Sequence, residues 1–105
     1  MPDLRVTVMA FTDRSTPGWV DCTFRDALGE LHTFNEKLPI VSRGEVGFDS
    51  QLPHAGTIAC EIVRSWRDDM GNQLYAITTE HPYGVSDTGG QSRFVVRREH
   101  LAGLL

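Results

Sequence analysis

Apolar residues recur along this chain with period two far more clearly than with period 3.6, which predicts strands and not helices. Leu4, Val6, Val8 and Ala10 alternate with Arg5, Thr7, Met9 and Phe11, predicting a strand over Leu4 to Thr12. Met9 and Phe11 predict partial cover on its second face. Thr16-Pro17-Gly18 then breaks the pattern. Val20, Cys22 and Phe24 alternate with Asp21, Thr23 and Arg25 over Trp19 to Arg25. After Asp26-Ala27-Leu28-Gly29, a second run over Glu30 to Lys37 carries Leu31, His32, Thr33 and Phe34. Two alternating runs around a short glycine-containing turn predict a β-hairpin.

From Pro39 to Gly56 the pattern dissolves. Pro39, Gly44, Gly47, Pro53 and Gly56 are spaced so that no regular helix is expected. Leu38, Ile40 and Val41 are expected to extend a strand across a bend at Pro39. Residues 42–55 read as a long irregular connection of the kind that is often either functional or mobile. Alternation returns over Thr57 to Arg67, with Ile58, Cys60, Ile62 and Trp66 assigned to one face. Asp68-Asp69-Met70-Gly71-Asn72 reads as a turn, and Gln73 to Glu80 as the returning strand of a second hairpin. Ser92 to Arg98 predicts a last strand, with Phe94 and Val96 on one face. The tail over Glu99 to Leu105 is expected to make one short helical turn.

These runs predict one all-β domain over residues 1–105, with five to seven short antiparallel strands in a small barrel-like fold. Its 105 residues suffice for a core without disulfide or metal staples. Hydrophobic residues are 40% and charged residues 23%, as in ordinary globular proteins.

Charge and targeting narrow the function. The net charge of -4 disfavours nucleic acid as a partner. Nine of the ten basic residues are arginines, a bias associated with GC-rich bacterial genomes. The start of the chain lacks a secretory pattern and no stretch reaches the ~20 apolar residues of a membrane helix, so a soluble cytoplasmic protein with no membrane association is expected.

Candidate chemistry is sparse. Cys22 and Cys60 lie on apparent core faces and are expected to be inert packing residues; a disulfide between them is the alternative for an exported protein. His32, His54, His81 and His100 show no metal-ligand spacing, so no metal and no cofactor is expected. His32 reads as an ordinary strand residue. Glu36 and Glu61 are candidates for an acid/base pair if they meet on the sheet surface, or two solvated strand residues if they do not. Arg64, Arg67, Arg93, Arg97 and Arg98 are candidates for a basic stripe like that of a single-strand-binding barrel, but Trp66 and Phe94 have the parity of core residues. No catalytic residue is assigned.

The loop aromatics point elsewhere. Trp19 breaks its strand's inward parity, Phe48 and Leu52 lie in the glycine- and proline-rich connection, and Tyr83 sits in another loop. Large rigid rings on loops suit recognition; the alternative is that they fold back over the barrel ends as plugs. Trp19, Phe48, Leu52 and Tyr83 are therefore the expected partner-binding residues of a non-enzymatic protein-binding module, for example an immunity or accessory factor. The alternatives are a small enzyme with a carboxylate or histidine at a barrel mouth, and a single-stranded nucleic-acid binder. The strands Leu4 to Thr12 and Ser92 to Arg98 are candidate edges for a homodimer.

The segments Trp19-Val20-x-Cys22, Phe34-x-Glu36-Lys37-x-Pro39, Ile58-x-Cys60-Glu61 and Pro82-Tyr83-Gly84-Val85 together resemble a group of short, uncharacterised bacterial proteins. The resemblance spans most of the chain. It implies a bacterial source and a stand-alone domain, and it carries no activity.

Overall fold

A computed structural model describes residues 1–104. The alternating runs fold as expected into strands: β1 (Asp3–Asp13), β2 (Trp19–Arg25), β3 (Leu31–Lys37), β4 (His54–Ala59), β5 (Glu61–Arg67), β6 (Gln73–Thr78), β7 (Arg93–Arg97) and β8 (Leu101–Ala102). All pairings are antiparallel. A first sheet has the order β3-β2-β1-β4, with β8 also pairing β1; a second has the order β5-β6-β7. The all-β class holds, but the ladders form two separate sheets and do not close into one barrel.

The division falls at Cys60. The expected single strand over Thr57 to Arg67 is two strands in different sheets: β4 pairs β1 and β5 pairs β6. Between them the Cys60 amide donates to the Pro2 carbonyl at 3.0 Å, which pins the point where the chain changes sheets. This split and the two-residue β8 raise the strand count to eight. A second departure follows within β5. A bulge lies between Ile62 and Arg64. One extra residue reverses the parity of everything after it. Ile62 pairs Ile77 on the core face, whereas Trp66 pairs Leu74 on the outer face. Trp66 is therefore not a core residue, while Phe94, at 3% exposure, is one.

In β1, Leu4, Val6 and Val8 are buried as the alternation demands. Two irregularities against β2, at Val8/Ala10 and Phe11/Asp13, then end it. Met9 is consequently exposed, against the expectation of a covered second face, and Phe11 turns to pack on the core margin. β1 is also not an edge, since β2 and β4 flank it.

The expected strand extension at Leu38 is instead one helical turn, α1 (Leu38–Val41). Proline is tolerated in a first turn, where its missing N–H would have no partner anyway. The Ser42 amide closes the turn on the Leu38 carbonyl at 3.0 Å, and Val41 is buried. Gly56 of β4 makes room for this turn: a Cβ there would lie 2.8 Å from the Val41 carbonyl oxygen. Beyond α1 the connection is irregular, as expected. The C-terminal turn is a 3₁₀ turn at Arg98–His100, one residue earlier than expected, and Leu101 returns to pair Leu4. Leu105 lies outside the described residues.

The core unites both sheets. Leu4, Val8, Val20, Cys22, Phe34 and Ile58 from the first pack with Ile77, Phe94 and Val96 from the second. At its centre Phe24, Phe34 and Phe94 have ring centroids 5.2 to 6.0 Å apart.

Candidate functional site

The four expected recognition residues do not form one patch. Trp19 is half-buried and pairs Lys37 across β2 and β3, with the ammonium 5.8 Å from the ring centroid. Phe48 folds back onto Phe11, centroid to centroid 5.1 Å. Arg14 sits 4.9 Å from the Phe11 centroid and donates to the Phe48 carbonyl at 3.1 Å. Phe48 is thus a partly covered plug, 38% exposed. Leu52 packs against the core margin. Tyr83 alone stands out, at 61% exposure. Its loop is held by Gly84 N–H to the Glu80 carbonyl (2.7 Å) and Val85 N–H to the Thr79 carbonyl (3.0 Å). The ring borders a cleft of about 130 Å³ lined by Asp3, Pro39, Ile40 and Arg43. Arg43 and Asp3 form an ion pair across it at 3.6 Å.

The most organised polar group is one the sequence reading passed over. His32, 6% exposed, lies between two aspartates. Its Nε2 is 2.8 Å from Asp26 Oδ2 and its Nδ1 is 3.2 Å from Asp87 Oδ2. Both contacts are hydrogen bonds only when both ring nitrogens carry protons. The ring stacks on Phe24 and meets the edge of Phe94 at 4.7 Å. The bridge ties the β2–β3 loop of the first sheet to the loop that precedes β7 of the second. Two backbone bonds run beside it, Ala27 N–H to the Val95 carbonyl and Thr88 N–H to the Thr33 carbonyl, at 2.9 and 2.8 Å.

Local sequence explains how both aspartates are presented. The pattern Asp-x-x-Gly-x occurs at Asp26–Glu30, Asp68–Asn72 and Asp87–Gln91. In each loop the aspartate Oδ1 accepts the amides two and four residues on, at 2.7 to 3.0 Å. In each, the glycine has φ between 82° and 85°, the left-handed region that favours glycine. With Oδ1 committed to its own loop, Oδ2 of Asp26 and of Asp87 is left to meet His32. This repeated spacing was the available signal.

Electrostatics follow from the geometry. Burial pushes the Asp26 carboxyl up, but the His32 bond and the Glu30 and Leu28 amides together hold it below the usual range. Asp68, in the equivalent loop of the second sheet, is lowered by the Asn72 amide foremost. Burial drives the Cys22 and Cys60 thiols up to about 12, and both are free. Such thiols are poor nucleophiles. Asp26, Glu30 and His32 can bring one ligand atom each within 4.8 Å of one another. Two of them, however, are already joined by their own hydrogen bond. Glu36 and Glu61 lie in different sheets and do not pair. Among the described residues, no helix is long and apolar enough to cross a membrane.

Compared with family models, curated proteins and solved structures, the chain finds no match.

Proposed function

We propose that the protein is a non-catalytic protein-binding module, in the manner of an accessory or immunity factor, with Tyr83 as the anchor of its contact surface. The observation that carries this reading is the Tyr83 ring, 61% exposed on a loop whose backbone is hydrogen-bonded, beside the Asp3–Arg43 cleft. A large ring on a rigid support gives contact area at little entropic cost. The commitment of both His32 nitrogens and the raised thiols favour binding over acid/base or thiol chemistry. A reducing cytoplasm suits two free cysteines.

The test is affinity isolation from the source cells with the wild-type chain and Tyr83→Ala in parallel. A stoichiometric partner retained by the first and lost by the second is expected. Identical recovery with both, or a chain that elutes alone under gentle conditions, overturns the reading.

A further inference from the structure

The second sheet differs from the rest of the chain in charge. Its strands carry Arg64, Arg67, Arg93 and Arg97 against one carboxylate, Glu61, on a chain whose net charge is -4. The bulge in β5 concentrates part of this charge on one face. The rows Arg64–Ala76–Val95 and Trp66–Leu74–Arg97 alternate with the buried rows Tyr75–Val96 and Ile77–Phe94, so they lie together on the outer face. There the Arg64 guanidinium stacks 4.3 Å from the Trp66 centroid. The floor is aliphatic; on the β5 side it is bordered by Arg64, while Asp26 and Glu30 line the far side next to Ala76 and Val95. Beside it, β5 ends the sheet: it pairs β6 on one side and no strand on the other. None of its seven residues is buried. An unpaired strand offers a row of main-chain donors and acceptors to another extended chain.

We propose that β5 binds an extended acidic segment of another protein by strand addition, with a carboxylate of that segment reaching Arg64 on the outer face. The chemistry selects this occupant over two others. A second copy is disfavoured because two β5 strands side by side bring four arginines against two carboxylates. Single-stranded nucleic acid is disfavoured because Trp66 already carries a guanidinium and its neighbours Leu74, Ala76 and Val95 offer no platform for successive bases. Guanidinium groups are also suited to carboxylates through paired N–H donors. The inference goes beyond the Tyr83 surface and does not depend on it.

The test uses the full chain with Trp19→Phe, so that Trp66 is the sole tryptophan reporter. It is titrated with a synthetic peptide of alternating glutamate and valine, its lysine counterpart, the glutamate peptide N-methylated at alternate amides, and an oligothymidylate. Saturable binding of the glutamate peptide alone is expected. Arg64→Glu should weaken it by roughly tenfold or more, as for a broken charge pair at a desolvated contact, with an unchanged circular dichroism spectrum. Tyr83→Ala should leave it unaltered, which separates failure here from failure of the Tyr83 surface. No binding, equal binding of the lysine or N-methylated peptide, or preference for the oligonucleotide overturns the proposal. So does a dimer at the working concentration that β5 substitutions dissolve.

Discussion

In the first sheet, β2 and β3 bury Val20, Cys22, Phe24, His32 and Phe34; in the second, β5 buries none of its seven residues. β6 and β7 supply the second sheet's share of the core through Tyr75, Ile77, Phe94 and Val96. β5 is therefore held mainly by its ladder to β6. The difference separates two tasks. Burial on the first-sheet side stabilises the molecule, while an edge with little to bury is left free for contacts. Strands with few buried contacts also open locally at low cost.

The largest effect that tests this contrast is a pair of truncations. Phe34 is fully buried and packs against Phe24 and Phe94. Phe34→Ala should cost about 3–5 kcal/mol, lost transfer energy plus a cavity. Trp66→Ala, although it removes a larger ring, should cost only about 1 kcal/mol, because the outer face is half-exposed and solvent fills the space. Urea midpoints of the two variants check this. A Trp66→Ala loss equal to that of Phe34→Ala would erase the distinction between the sheets.

His32 is the next lever because it joins the two regions. In His32→Leu the Asp26 and Asp87 carboxylates, whose side chains are 8% and 9% exposed, lose their shared partner. The expected cost is about 3 kcal/mol, at the low end for a broken buried pair because each aspartate keeps its loop amides. The sheets should also uncouple. Single-tryptophan chains reporting through Trp19 or Trp66 should unfold together with His32 present and at different midpoints without it. Coincident transitions in His32→Leu would show that the aromatic cluster alone couples them.

A smaller effect probes the edge of the first sheet. Gly56→Ala would place a Cβ 2.8 Å from the Val41 carbonyl oxygen and 3.0 Å from Val8 Cγ2. The first contact is backbone, so α1 must shift; a cost of about 2 kcal/mol is expected for such overpacking, read from the thermal midpoint. A neutral outcome would mean that α1 rests loosely on β4.

The same contrast explains what the sequence disclosed. Where one face is buried and the other is wet, as in β2 with Val20, Cys22 and Phe24 opposite Asp21, Thr23 and Arg25, alternation is sharp and the strand is legible. In β5 no residue is fully buried and only Ile62 packs against the core, so its composition cannot register the bulge between Ile62 and Arg64. Parity counted from Ile58 through Cys60 then sends Trp66 to the wrong side. Pro39 was read as a breaker because its position in a first turn depends on where α1 begins. Tyr83 was legible as an exposed loop ring. Phe48 could be read either as a recognition ring or as a plug, and its partners Phe11 and Arg14, 37 and 34 residues away, decide for the plug. The His32 bridge joins residues 6 and 55 apart in the chain. No single window contains it, although the thrice-repeated Asp-x-x-Gly-x spacing marks both of its loops.

Those loops supply the smallest and sharpest comparison. Asp26 and Asp68 begin loops of the same form, but Asp26 also bonds His32, whereas the hydrogen bonds of Asp68 stay within its own loop, to Met70 and Asn72. Both carboxyls are held below their usual value. A carboxyl lowered in the folded chain stabilises it fully above the ordinary aspartate pKa of about 3.9, and that stabilisation is lost as pH falls through the lower folded value. Through these two carboxyls, acid should therefore weaken the molecule below that ordinary value. Urea midpoints recorded from neutral pH down to about pH 2 should show the acid slope flattened strongly in Asp26→Asn and only slightly in Asp68→Asn, because an exposed carboxyl is screened by solvent. Equal flattening would place the acid sensitivity in the loop form itself and not in the bridge to His32.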